Sequence, residues 1–170
     1  MTRPNIVKII CHDIGKHLGC YGIKSLNTNS IDSLAKGGIL FNNAFATSPG
    51  CSPSRAAIAT GRYPHNTGVL GLAHAHFGWS LDKKIKHIAK YFSSNDYNSI
   101  LFGLQHVTYH EETLGFNKIF PERPADQVIK NIKDNINTKL FKKPFYAEVN
   151  FFEPHRPFDY GGVKPFKSKG

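Results

Sequence analysis

Short apolar runs alternate along this chain with stretches of helical periodicity, which constrains it to an α/β fold with a mainly parallel sheet flanked by helices. Ile6-Val7-Lys8-Ile9-Ile10-Cys11 is mostly apolar, as a strand inside a parallel sheet requires. A short helix follows, capped by Asn29 or Ser30, carrying Ile31, Leu34 and Ala35 on one face and ending at Gly37-Gly38. Ile39 to Phe45 suits a strand, and Pro53 suits the first turn of a helix that runs through Ala59 and closes near Gly61. Ser80 is the predicted cap of a further helix bearing Leu81, Ile85, Ile88 and Phe92, and Ser99 to Phe102, before Gly103, predicts the next strand. Val128, Ile129, Ile132 and Ile136 predict another amphipathic helix, and Phe145 to Phe152 the last strand. With no internal repeat, low-complexity tract or linker, the 170 residues are expected to form one domain. Gly161 to Gly170 carry little periodic signal, so that domain is expected to be incomplete at its C-terminus.

The order of elements also places the polar residues. His12-Asp13-Ile14-Gly15 follows the first strand, and Glu153-Pro154-His155-Arg156-Pro157 follows the last. Open α/β sheets bind their ligands at such C-terminal strand ends. Cys51 falls at a helix N-terminus, where unpaired backbone N–H groups and the helix dipole favour an anion. One turn on, Arg55 can direct its guanidinium back toward residue 51 and offer the paired hydrogen bonds that tetrahedral oxyanions favour. A buried structural cysteine beside a surface arginine fits the same spacing.

Lys and Arg number 22 against 12 Asp and Glu, a formal charge of +10 that favours anionic partners. The basic residues are dispersed in small groups such as Lys83, Lys84 and Lys86, or Lys142 and Lys143, as on solvated helix faces. No RNA-recognition signature, zinc-finger spacing or basic heptad segment accompanies them, so no nucleic-acid partner is expected. Cys11, Cys20 and Cys51 are odd in number and include no C-x-x-C pair, so neither a disulfide framework nor a structural zinc site is indicated and at least one cysteine is expected to be free. Cys11 is expected to pack in the first strand and Cys20 beside a turn. Met1 to Asn5 lead directly into the first strand without a secretion signal, so the chain as written is expected to be cytoplasmic; a periplasmic or secreted location requires an earlier start. No apolar run reaches the roughly 18 to 20 residues needed for a membrane span.

Cys51-Ser52-Pro53-Ser54-Arg55, followed by Ala56-Ala57-Ile58-Ala59-Thr60-Gly61-Arg62, closely resembles the signature of the formylglycine-dependent, type I sulfatases: C-x-P-S-R, then a small and apolar run ending T-G-R. Other segments resemble the family in the same order. These are Pro4 to Val7 leading into His12-Asp13, Thr28 to Leu34 with Gly38 to Phe45, Gly61 to Gly68, Gly103 to His106 against a G-K-x-H segment, and Phe151 to Pro157. Gly71 to Phe77 and the E-P-H-R-P segment look closest to the heparan N-sulfatase-like, or sulfamidase-like, branch.

The resemblance implies an alkaline-phosphatase-like fold, with residues 1–170 as the N-terminal part of a sulfatase catalytic domain. It implies hydrolysis of sulfuric ester or N-sulfate bonds on a sulfated carbohydrate. Cys51 would be converted by a formylglycine-generating enzyme to formylglycine, whose hydrate is both nucleophile and metal ligand. Asp13 would be a ligand to a divalent metal, usually calcium. Arg55 would anchor the formylglycine, His106 orient the hydrate, and His155 contact sulfate or protonate the leaving group. Two positions depart from the family pattern. His12 replaces the first of two adjacent aspartates, leaving a ligand and a non-ligand role both open. Leu104 replaces a sulfate-contacting lysine, which leaves polar contacts to His106 and Gln105. The family's remaining ligands lie beyond the matched segments, so the alternative is an inactive, truncated fragment that binds anions or a partner chain. Lining of a substrate pocket and ordinary surface placement are both open to His65, His74 and His76, whose loop-like context favours the surface, and His17, His87 and His110 receive no role.

Overall fold

A computed structural model describes residues 3–74, 76 and 78–156. The expectations for Ala75, Phe77, Pro157 and 161–170 lie outside the described residues. In chain order the elements are β1 (Ile6–Cys11), α1 (Asn29–Gly37), α2 (Cys51–Thr60), α3 (Ile88–Ser93), β2 (Asn98–Gly103), β3 (Lys118–Phe120), α4 (Ala125–Asn135) and β4 (Phe145–Phe151). The four strands form one parallel sheet in the order β1-β4-β2-β3. The last strand thus lies between the first and second, with Val149 opposite both Ile9 and Phe102.

Side chains alternate across a strand, so the two central strands serve two different interiors. Ile100, Phe102 and Val149 face α4 and pack with Val128, Ile132 and Phe120. The opposite face of β4 is polar. Glu148 is buried there, paired to Lys8 Nζ at 2.6 Å, and it accepts hydrogen bonds from Tyr146 Oη (2.7 Å) and Asn150 Nδ2 (2.9 Å). Burial pushes its carboxyl up, but the neighbouring Lys8 and His87 outweigh this and hold it below the usual carboxylate range. A second core gathers Ala56 of α2 with Val69, Leu81, Val107 and Leu114 from the loops.

The structure corrects four expectations. Residues 39–45 form no strand: Ile39 and Phe45 are 82% and 86% exposed, and no neighbouring strand offers the segment a ladder. An apolar run supplies the residues of a strand but not its partner. The helix predicted from Ser80 begins only at Ile88. Leu81 N–H donates to Val107 O and Asp82 N–H to Thr67 O, so the segment before it crosses the core as a loop and buries Leu81 without helical winding. β1 is an edge strand, with Val7 and Ile9 more than half exposed and Lys8 turned inward to Glu148. α1 starts at Asn29 after Thr28, and none of its residues is buried. The three-residue β3 is too short to be read from periodicity.

His87, given no role by the sequence, caps α3: its Nδ1 accepts the Ala89 N–H at 3.1 Å within the buried interior. Burial, with Lys8 adding and Glu148 opposing, lowers its pKa to about 4. An unfolded histidine takes a proton near pH 6.5, whereas the folded one refuses it until about pH 4. Stability therefore falls as pH drops across that window, by about 3 kcal/mol from this residue alone. Denaturant titrations at pH 7 and pH 4 check this: His87→Asn, which keeps a capping acceptor but does not titrate, is expected to lose that part of the decline. An equal decline in both proteins would contradict the assignment.

Candidate active site

The C-terminal ends of β1, β2 and β4 converge on the N-terminus of α2. β1 delivers His12 and Asp13, β2 leads through Gly103 into Leu104-Gln105-His106, and β4 leads into Phe152 to Arg156. His12 N–H is shared between the carbonyls of Phe151 and Glu153, each at 3.2 Å, which ties the first and last strand ends together. The Glu153 carboxylate accepts the first N–H of α4, from Ala125, at 3.0 Å and so fixes this loop to the helix start.

Each residue of the signature segment has a structural task. Cys51 is the first residue of α2, and Ser54 N–H closes the first turn on Gly50 O at 3.1 Å. Ser52 Oγ accepts Ala73 N–H at 3.0 Å inside the protein. Ala56, Ala57 and Ala59 are small enough for α2 to lie buried. Thr60 Oγ1 donates back to Ala56 O, and Gly61 ends the helix in the left-handed conformation, φ +67°.

Arg55 is 6% exposed and lines the same cavity as Cys51, and its guanidinium hydrogen-bonds two strand ends. Nη2 lies 3.1 Å from His12 Nδ1, and Nη1 donates to Leu104 O at 3.3 Å. It therefore joins the ends of β1 and β2. Burial lowers its pKa from the usual guanidinium value, with Glu148, Cys51 and Asp13 opposing. Leu104, where the family has lysine, contributes its carbonyl instead of a side-chain charge. Gln105 is also turned inward: its amide donates to Thr108 O and accepts from Val107 and Thr108 N–H, so it holds the loop rather than lining the site.

The imidazoles cluster around this frame. The His12 ring lies 4.6 Å from that of His155 and 6.1 Å from that of His106, and stacks on Phe152 at 5.5 Å. His12 Nε2 stands 3.8 Å from Asp13 Oδ1, and His155 Nε2 stands 3.7 Å from Asp13 Oδ2. His74, exposed on its loop as that context favours, also stacks on His106 at 5.0 Å. Burial, then Arg55, lowers the His12 pKa to about 4, with Asp13 opposing. Burial and the neighbouring His74, Arg55, His12 and Arg123 lower His106 to about 4 as well. Both are neutral at pH 7.

Asp13 and His106 have φ of +57°, a conformation that non-glycine residues adopt at a cost and that is concentrated at functional sites. A cavity of about 270 Å³ opens here, lined among others by His12, Asp13, Gly15, Ser48, Cys51 and Arg55. The larger cleft, about 600 Å³, is lined mainly by apolar groups such as Phe45, Ile58 and Tyr63, with Arg62 its only charged residue. The chemistry lies in the smaller cavity. Among the described residues, two overlapping groups have ligand atoms within 4.8 Å of one another: His12 with Cys51 and His106, and His12 with Asp13 and His155. The buried His12 Nε2 and His106 Nδ1 have no hydrogen-bond partner among the described residues. Among the described residues, no helix is long and apolar enough to cross a membrane.

The Sulfatase family model matches residues 4–132. The chain is 37% identical over 158 residues to the Ulvan-active sulfatase of Formosa agariphila, covering 90% of this chain and 30% of that protein. It is 29% identical over 164 residues to human N-sulphoglucosamine sulphohydrolase, covering 91% of this chain and 32% of that one. A solved 2-O GAG sulfatase superimposes with a TM-score of 0.69 at 25% identity, covering 90% of this chain and 35% of its own. The chain thus spans about a third of the length of these relatives. The parallel α/β sheet, the signature helix seated at its C-terminal edge and the family match agree: this chain belongs to the sulfatase family.

Proposed function

We propose that residues 1–170 are the N-terminal part of a sulfatase catalytic domain that hydrolyses a sulfuric ester or N-sulfate on a sulfated sugar. The observation that carries this reading is the position of Cys51: first residue of α2, in one cavity with Asp13 and Arg55 and grouped with the imidazoles of His12 and His106. Conversion of Cys51 by a formylglycine-generating enzyme turns the thiol into an aldehyde whose hydrate supplies the attacking oxygen. The names of the relatives support sugar sulfates as the substrate class. The sulfamidase-like branch rests on the 71–77 and 153–157 segments alone.

The site fits a divalent cation in part. Calcium takes oxygen ligands, and Asp13 with a hydrated residue 51 would supply them. Imidazoles suit softer ions. A bound cation would polarise the sulfate oxygens. The remaining tasks fall to the chain itself. Neutral His106, with Nδ1 buried and unpartnered, is placed to accept the hydrate's proton and so orient the nucleophile. Arg55 holds His12 and Leu104 in position and places a positive charge behind the developing oxyanion. His155, beside Asp13, is placed to contact sulfate or to give a proton to the leaving oxygen or nitrogen. The helix N-terminus adds its dipole to the anion site.

The second reading, a non-catalytic fragment that binds an anion or a partner chain, is favoured by Asp13 being the only carboxylate in the two ligand groups. Matched chromogenic aryl sulfate and aryl phosphate esters separate these readings with the formylglycine-bearing chain. A sulfatase hydrolyses the sulfate with kcat/KM at least about tenfold above the phosphate. No turnover, with sulfate still raising the Tm, would support the fragment.

A further inference from the structure

We propose that His12 is not a metal ligand but a neutral hydrogen-bond donor for a substrate oxyanion, held in that form by Arg55. The residue stands where the family pattern has a metal-binding aspartate, and its composition alone leaves either role open. The partner of its second nitrogen decides between them. A guanidinium has five N–H donors and no acceptor, so the 3.1 Å contact from Arg55 Nη2 requires His12 Nδ1 to carry a lone pair. The neutral ring then bears its proton on Nε2. A metal-bound histidine shows the opposite arrangement: its second nitrogen donates to a carboxylate, carbonyl or water, leaving the first free for the ion. Turning the ring over would put a C–H against the guanidinium and remove the acceptor it uses.

Nε2 is buried, and the ring it belongs to is 2% exposed. Among the described residues its proton meets no acceptor, and Asp13 Oδ1 at 3.8 Å is beyond hydrogen-bond distance. A buried donor without an acceptor, beside a cavity lined by Cys51 and Arg55, marks the place of an oxygen from outside. Leu104 removes a cationic donor that the family pattern supplies from the next strand end, and the His12 N–H stands in for it. Arg55 is then a positioning residue in this interaction. Identifying the oxyanion as sulfate rests on the sulfatase reading, whereas the placement of the ring proton does not.

Long-range ¹H–¹⁵N spectra of the full chain at pH 7, with the His12 signals assigned through His12→Gln, test the proton's position. Expected are a pyridine-type Nδ1 and a protonated Nε2 that persist on addition of calcium or zinc, with Nε2–H shifting when inorganic sulfate is added. A proton on Nδ1, or loss of the Nε2 proton on metal addition, would overturn the proposal. Calorimetry with inorganic sulfate supplies the second arm. His12→Ala is expected to weaken binding by about tenfold, while His12→Gln, which places an amide N–H near the Nε2 position, stays within about threefold of the parent. Equal losses in both variants, no loss in either, or no sulfate binding by the parent would overturn the oxyanion role. Failure of Cys51 conversion, read separately by mass, would remove the sulfatase reading and leave the proton assignment intact.

Discussion

Cys51→Ala is expected to abolish aryl-sulfate turnover, lowering kcat by a factor on the order of 10³ or more, as loss of a covalent nucleophile does. The fold should survive. Cys51 is only half-buried, and its turn is closed by backbone, Ser54 N–H on Gly50 O, which alanine leaves in place. Alanine is also the best helix former for the first turn of α2. The comparison is made on protein co-expressed with a formylglycine-generating enzyme, with far-UV circular dichroism and Tm as controls. Unchanged turnover in the variant would remove residue 51 from the chemistry and return the thiol to the structural role that its spacing alone permits.

Gly103→Ala is the stability counterpart, with an expected loss of about 3 kcal/mol or more and a Tm lower by about 10 °C. Gly103 ends β2 with φ +85°, and a Cβ there would stand 2.0 Å from Asn150 O and 3.0 Å from its carbonyl carbon. Asn150 lies in β4, paired on both sides, so the neighbour cannot give way as a flexible side-chain tip would. The residues that follow, Leu104 and His106, enter the site directly. The same substitution is therefore expected to disturb the Arg55 to Leu104 carbonyl bond and to reduce sulfate binding. Urea unfolding of both proteins checks it, and a Tm within about 2 °C of the parent would contradict the geometry.

Legibility in the sequence followed the physical range of each signal. β1, β2, β4, α2 and α4 were readable because their apolar spacing, prolines and terminal glycines act locally. The predicted strand at residues 39–45 failed because a ladder needs a partner that periodicity does not encode, and the helix at Ser80 failed because Leu81 and Ile85 bury from a loop at nearly helical spacing. In the site, His12, Asp13, Cys51, Arg55, His106 and His155 were all nameable in advance, and the fold groups them around one cavity and its adjoining imidazoles. Their hydrogen-bond and ring partners were not. Arg55 turns to His12 and Leu104, Gln105 turns inward, and His74 joins His106 through a contact between residues 32 positions apart. Such pairings depend on how strand ends meet, and no local spacing carries that information.

Cys51 as the precursor of a formylglycine is tested most directly by the mass of the peptide that contains it. After co-expression with a formylglycine-generating enzyme, the Cys51 peptide is expected to be lighter by about 18 Da, the difference between a thiol side chain and an aldehyde. A peptide that keeps the full mass of the unmodified thiol would contradict the claim.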